Sequence, residues 1–131
     1  MLAGYSSTPL VKKLGIKAHS TIVLINAPHD FGKVLGKLPD GVLFGKKATR
    51  KNDMMIWFVK SRKELKKRIT IIAALVTQGG LWIAWPKKGS PISSDLSQRY
   101  VRKIGIGADL VDYKVCAIDE TWAGLKFARR K

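Results

Sequence analysis

Three short apolar runs, at residues 21–25, 54–59 and 81–85, constrain the fold of this chain more than any other feature of its sequence. Each run is almost free of polar residues, and each is followed by a polar or proline-containing segment. Strands without polar alternation are typical of a sheet that is buried on both faces. Since parallel strands need crossovers that cover both faces, the sequence predicts an α/β fold with a mostly parallel sheet.

Local signals predict the remaining elements. We expect helices at residues 30–38, 61–78 and 95–105, and further strands at residues 42–44, 114–118 and 125–128. Ser61 and Glu64 have the spacing of a capping box, and Gly79 is expected to end that helix. Asp95 is expected to cap the next helix and Gly105 to end it. The last two strands are predicted to be antiparallel to each other.

Length and composition indicate one globular domain. With 131 residues, 46% of them hydrophobic, the chain can bury one core, so we expect a single domain over residues 1–131 that starts with an irregular arm at residues 1–16. No apolar run approaches the roughly 20 residues of a membrane helix. Residues 1–10 lack the pattern of a secretory signal, and the single cysteine, Cys116, cannot form an internal disulfide. We therefore expect a cytoplasmic protein without a membrane partner.

Charge is the outlier in the composition. The chain has 25 Lys and Arg against nine Asp and Glu, a formal net charge of +16. A field of that sign attracts polyanions, and nucleic acid is the first candidate. The alternative is that the charge only keeps a small protein soluble. A basic loop at residues 46–51 and a basic helix face contribute to the charge, and we interpret the helix face as solvated; its members are Arg62, Lys63, Lys66 and Lys67.

Several segments together resemble known proteins. They are Ala3-Gly4-Tyr5-Ser6, Thr8-Pro9-Leu10, Ala84-Trp85-Pro86-Lys87-Lys88, Val115-Cys116-Ala117-Ile118-Asp119 and Thr121-Trp122-Ala123-Gly124-Leu125. With the helix, Gly-Gly turn and strand at residues 73–83, they resemble the C-terminal half of the class I methyltransferase fold. More closely, the chain resembles an uncharacterised bacterial family of short, methyltransferase-like domains. This resemblance implies a three-layer, Rossmann-like, truncated methyltransferase fold with an antiparallel C-terminal strand.

The same resemblance implies that the cofactor site of true methyltransferases is missing. In those enzymes a glycine-rich loop follows the first strand, whereas residues 26–32 here contain Pro28 and one late glycine. Their second strand ends in an acidic residue that grips the ribose, whereas Lys46 and Lys47 stand in the corresponding region, and Asp53 comes only before the next strand. We therefore expect no cofactor and no adenosylmethionine binding, and the sequence does not favour methyltransferase activity.

A basic site is expected where the parallel strands end. Ligands of open α/β sheets bind beyond the carboxyl ends of the strands, and a helix start adds free amides and a positive dipole end. We call the loops at this edge, residues 27–30, 60–62 and 86–90 together with the last hairpin turn, the rim. The candidate anion-binding residues on the rim are Lys60, Ser61, Arg62, Lys87, Lys88 and Trp122.

Catalytic candidates on the rim are few. His29 stands beside Asp30, which would orient the imidazole for acid–base chemistry, and Asp119 lies in the last turn. No serine or cysteine nucleophile motif accompanies them, and two histidines with one cysteine lack the spacing of a zinc site. Our interpretation is therefore a non-catalytic anion-binding module for nucleic acid or another polyanion. The alternative is a small enzyme or binding protein for a phosphorylated or carboxylated metabolite at the rim.

Overall fold

The computed structural model describes residues 8–130, which form one six-stranded sheet with helices on both faces. The strands are β1 (Thr21–Ile25), β2 (Leu43–Gly45), β3 (Met54–Phe58), β4 (Leu81–Pro86), β5 (Leu110–Ala117) and β6 (Trp122–Arg129). The helices are α1 (Leu10–Leu14), α2 (Phe31–Leu35), α3 (Arg62–Ala73) and α4 (Gln98–Gly107). Residues 1–7, which carry the first segment of the predicted resemblance, lie outside the described part.

The sheet order is β2-β1-β3-β4-β6-β5. The three apolar runs are neighbours at its centre, because β3 pairs in parallel with both β1 and β4. β6 is antiparallel to both of its neighbours, β4 and β5, so it runs in the direction opposite to the other strands of the sheet. The predicted α/β class, the mostly parallel sheet and the antiparallel C-terminal strand are confirmed.

Two apolar cores lie on the two faces of the sheet. One is covered by α3 and α4 and contains Trp57, Trp85 and Phe127. The other is covered by α1 and α2 and contains Phe58, Trp82 and Trp122. Every residue of β3 and of β4 is buried, which explains why their sequences show no polar alternation.

Helix α3 ends at Ala73, five residues before the predicted end at residue 78. Beyond it, tertiary donors take the backbone carbonyls: the Arg129 guanidinium donates to Ala74 O (2.9 Å) and Val76 O (3.1 Å). The Asn52 side chain donates to Leu75 O at 3.3 Å. Because these carbonyls are satisfied from other parts of the fold, the chain can leave the helix before the glycines.

Helix α4 begins three residues later and ends two residues later than the predicted range of residues 95–105. Its N-cap is Ser97, whose hydroxyl accepts a hydrogen bond from the Tyr100 amide (3.2 Å). Gly105 lies inside the helix and is buried against β6, so that an added Cβ would overlap the Phe127 ring. This glycine is required by close packing of α4 on β6 and does not end the helix.

The predicted irregular arm is wrong from residue 10 onward, where α1 forms and packs on the sheet. Val11, Leu14 and Ile16 are buried, and the Leu14 carbonyl accepts hydrogen bonds from the Trp82 indole (2.8 Å) and the Lys126 ammonium (3.1 Å). Lys126 is only 8% exposed. The segment is therefore anchored to the central and C-terminal strands by apolar contacts and by one shared carbonyl.

The other boundaries differ by smaller amounts. Helix α2 is shorter than predicted because Gly36, with a positive φ of 74°, ends it. β5 and β6 extend further than predicted, since they pair with each other along almost their whole length from Leu110 to Ala117.

The packing of α4 can be tested with Gly105→Ala. The added methyl group meets the buried Phe127 ring, so we expect the free energy of unfolding in urea to fall by about 1–3 kcal/mol. Gly32→Ala is the matched control, because Gly32 is also helical and no atom lies within 4 Å of its added Cβ. The control is expected to be unchanged or more stable by up to about 1 kcal/mol. Equal stabilities of the two variants would contradict the described contact.

The burial of Lys126 predicts a pH-dependent stability. Burial, aided by repulsion from Lys114 and Lys17, lowers the pKa of Lys126 in the folded state. The unfolded chain then binds more protons, so stability rises as pH increases from the lowered pKa towards the unfolded value of about 10.4. Urea unfolding at several alkaline pH values should show this rise in the wild type and its loss in Lys126→Met. Lys33→Met, at an exposed position, should retain it. A wild-type advantage over Lys126→Met that stays constant with pH would contradict the assignment.

Candidate functional site

The rim loops lie at one edge of the sheet, as parallel pairing of β1, β3 and β4 requires. The turn between β5 and β6 joins them: Trp122 is opposite Pro86 in the sheet, and the Lys87 amide donates to Thr121 O at 2.7 Å. The structure therefore brings together the segments that the sequence assigned to the rim. The roles of individual side chains differ from those expected.

The start of α3 is already occupied by the protein's own carboxylates. Ser61 is the N-cap and accepts from the Glu64 amide (3.1 Å), while Glu64 accepts from the Lys60 amide (3.1 Å). Asp95 accepts from the Arg62 amide at 2.8 Å. An anion at this helix start would have to displace Asp95 and Glu64. Ser61 caps the helix as predicted, but Glu64 reaches back to the Lys60 amide instead of the Ser61 amide. The amides of Arg62 and Glu64, which were expected to be free for a phosphate, are already bonded.

Arg62 is held in place by neighbours rather than left free for a ligand. Its Nε donates to the backbone oxygen of Asp95 at 2.8 Å, and its guanidinium lies 4.2 Å from the centre of the Tyr100 ring. Asp95 therefore joins the starts of α3 and α4. The sequence assigned Asp95 to the cap of α4, and the structure places it on the other helix.

Two further rim candidates have structural roles. Trp122 is buried in the core, 4% exposed, and packs edge-to-face on Phe58 with ring centres 5.0 Å apart. Asp119 accepts hydrogen bonds from the amides of Thr121 and Trp122, each 2.8 Å, and so closes the turn between β5 and β6. Trp122 cannot contact a surface anion, and the Asp119 carboxylate is committed to the turn.

His29 and Asp30 are exposed at the start of α2. Neither side chain makes a hydrogen bond to another residue in the described part of the chain, and Asp30 does not cap α2 through its side chain. The expected orientation of His29 by Asp30 is therefore absent. Burial raises the pKa of the Cys116 thiol, which disfavours the thiolate that a nucleophile needs.

Lys87 and Lys88 line a cleft of about 410 Å³ between the loop after β4 and the start of α4. Its other polar walls come from the segment between β4 and α4, and they include Ser90, Ser93, Ser94, Asp95 and Ser97. The Ser94 hydroxyl donates to Lys60 O at 2.7 Å, so this segment is tied to the start of α3. The rim predicted from the sequence included Ser90 but not Ser93, Ser94 and Ser97, although the density of serines after Pro91 is visible in the sequence.

A second concentration of cations lies on the α3 face of the sheet. The loop between β2 and β3 crosses this face: Ala48 packs against the core beneath α3, and Asn52 bonds to Leu75 O. The exposed cations of the loop and of α3 form what we call the basic layer, made of Lys46, Lys47, Arg50, Lys51, Arg62, Lys63, Lys66 and Lys67. The sequence contained both basic segments, but only the crossing of the loop places them on one face.

Carboxylates do not neutralise this layer. Among residues 8–130, Arg102 is the one basic side chain within 4.0 Å of an acidic one, bonded to Asp112 at 2.9 Å. Asp53, Glu64 and Asp95 lie near the layer, but they accept hydrogen bonds from main-chain amides, as Asp53 does from Thr21 at 2.7 Å. The lysine ammonium groups of the basic layer are therefore left to solvent or to a partner.

The described part of the chain contains no group of three or more His, Cys, Asp or Glu that could hold a metal ion. Within residues 8–130, no helix is long and apolar enough to cross a membrane.

Two methyltransferases are among the solved structures that superpose on this chain. Magnesium protoporphyrin IX methyltransferase from Synechocystis PCC 6803, with bound SAM, superposes with a TM-score of 0.57 at 11% identity, covering 92% of this chain and 74% of that chain. Ribosomal protein L11 methylase from Lactobacillus delbrueckii subsp. bulgaricus gives 0.56 at 8% identity, covering 93% and 75%. At such low identity the likeness establishes the methyltransferase-like, Rossmann-like fold alone.

No family model matches the sequence, and no curated protein matches it. The closer resemblance to short bacterial domains therefore stays a prediction.

The residues at the strand ends do not fit SAM. After β1 the chain passes through Asn26, whose side chain donates to Glu64 at 3.0 Å, and then through Ala27 and Pro28, so no glycine opens the loop before α2. After β2 come Lys46 and Lys47 in place of an acid that would bind the ribose hydroxyls. Both requirements that the methyltransferase resemblance implies are unmet.

We predict that SAM does not bind. Titration calorimetry of the purified chain with SAM should give no heat beyond dilution up to millimolar ligand. A saturable isotherm with a micromolar dissociation constant, in the range of enzyme substrates, would contradict this reading of the loops after β1 and β2.

Proposed function

We propose that this chain is a non-catalytic polyanion-binding module whose partner is nucleic acid and whose contact surface is the basic layer. The observation that supports the proposal most strongly is how the acids are used. Asp53, Glu64 and Asp95 accept from backbone amides, and none lies within 4.0 Å of a cation of the layer. A surface with unneutralised lysines attracts polyanions over distances set by the ionic strength.

Lysine suits contact with a phosphate backbone. Its ammonium group is a mobile point charge that accommodates phosphates at varied positions. Each phosphate that is neutralised releases condensed counterions, and this release supplies most of the non-specific affinity. The exposed members Lys63, Lys66 and Lys67 follow one another along α3 at helical spacing, so they form a continuous row.

A second candidate is favoured by the cleft beside Lys87 and Lys88. Its two lysines and four serines suit one small phosphorylated or carboxylated metabolite. Asp95 also lines the cleft and repels such a ligand, although its carboxylate is hydrogen-bonded to the Arg62 amide. The cleft is too small for a polymer, so the two candidates predict different effects of substitution.

The proposal predicts that Lys63→Ala/Lys66→Ala/Lys67→Ala lowers oligonucleotide affinity by more than about tenfold at moderate salt. The plot of log affinity against log salt should become shallower by about 2–3, since each lost phosphate contact removes about 0.9 from its slope. Fluorescence anisotropy of a labelled oligonucleotide at several salt concentrations measures both quantities.

The matched control is Lys12→Ala/Lys33→Ala/Lys37→Ala, which removes the same charge from exposed lysines of the opposite face. This control should lose much less affinity than the α3 variant. Equal losses would show that net charge alone drives binding and would contradict the assignment of the basic layer. A Lys87→Ala/Lys88→Ala variant that loses more than the α3 variant would move the site to the cleft.

A further inference from the structure

We infer that the nucleic acid contacted by the basic layer is double-helical and is bound through its phosphate backbone without recognition of bases. This inference rests on the proposed function. It follows from three properties of the layer: where the aromatic rings lie, which polar side chains are free, and how densely α3 is charged.

The exposed aromatic rings of residues 8–130 lie on the face of the sheet opposite to the basic layer. Among residues 8–130, the large exposed aromatic side chains are Phe44 (40% exposed) and Tyr113 (54%). Phe44 is the register partner of Ile22 in the sheet, and Ile22 belongs to the core under α1 and α2. Phe44 therefore lies on the face opposite to α3. Tyr113 is also on that face, since its ring lies 5.9 Å from the Lys126 ammonium, which bonds to Leu14 O.

Within residues 8–130, the one partly exposed aromatic ring on the α3 face is that of Tyr100, and it is already covered. Tyr100 is half-buried beneath the Arg62 guanidinium at 4.2 Å. Binding of single strands depends on stacking of bases on aromatic rings, worth about 1–3 kcal/mol per base. Without a free ring the described surface lacks the main attraction for unpaired bases.

Two of the side chains near the layer that could read base edges are engaged elsewhere. Base recognition relies on arginine, asparagine and glutamine, which form paired hydrogen bonds. Arg62 is held by Asp95 and Tyr100, and Asn52 is 7% exposed and donates to the oxygens of Thr49 and Leu75. Apart from Arg62, the exposed cations of α3 are lysines, which contact phosphates and carry no sequence information, and the loop adds one exposed arginine, Arg50.

Charge density favours a duplex over a single strand. The lysines of α3, from Lys63 to Lys67, span about 6 Å along the helix at a rise of about 1.5 Å per residue. Over that length a duplex presents about three or four phosphates, at one charge per roughly 1.7 Å, and a single strand about half as many. The same row of lysines therefore meets more phosphates, and displaces more counterions, on a duplex.

The test compares labelled 20-base-pair DNA and RNA duplexes with their separate strands by fluorescence anisotropy at low salt. Two duplexes of unrelated sequence are included, together with the α3 triple variant and its opposite-face control. We expect the duplexes to bind at least about tenfold more tightly than the single strands, and the two sequences to differ by less than about threefold. The DNA and RNA arms identify which backbone is preferred.

The outcomes separate the inference from the proposed function. Single strands that bind as tightly as duplexes, or one duplex sequence that binds much more tightly than the other, would overturn the inference and leave the proposed function standing. Absence of binding to every nucleic acid at low salt would overturn the proposed function itself. If the wild type and the opposite-face control prefer duplexes and the α3 triple variant does not, the result supports both the inference and the proposed function.

Discussion

Burial of β3 and β4 on both faces is the constraint on which the rest of the structure depends. Their residues are all buried, so neither face of the central sheet can be left to water. Helices α3 and α4 cover one face with a continuous apolar core. The other face is covered by the short helices α1 and α2, and α1 is anchored through the Leu14 carbonyl to Trp82 and Lys126. Residues 10–16 are therefore part of the core rather than an appendage.

The shortage of acidic residues affects the charge of the protein surface. With nine carboxylates against 25 cations, each carboxylate that satisfies a backbone amide is lost as a partner for a lysine. Asp95 and Glu64 organise the start of α3, and Asp119 closes the last turn. The same hydrogen bonds that complete the fold thus leave the lysines of the basic layer without counter-charges. The use of carboxylates in backbone hydrogen bonds therefore contributes both to the fold and to the positive surface potential.

The edge at which methyltransferase-like sheets bind their ligands is partly closed in this structure. Its strand ends are closed by internal contacts: Asn26 to Glu64, Arg62 to Asp95, and Lys87 to Thr121. These contacts stabilise the edge at which related folds bind their ligands. What remains open is the serine-rich cleft beside Lys88 and the helical face that carries the basic layer.

Local patterns in the sequence were sufficient to predict the three central strands, their parallel order, the N-cap at Ser61 and the gathering of loops at the rim. These features follow from local periodicity and from rules of connection, which act over a few residues or one crossover. Three other features depend on tertiary packing: Asp95 caps a helix start 33 residues away, Trp122 is buried in the core, and the 46–51 loop lies on the α3 face. The partner of a carboxylate, a ring or a loop depends on which distant segments the fold brings near it. Such long-range contacts leave no local pattern in the sequence.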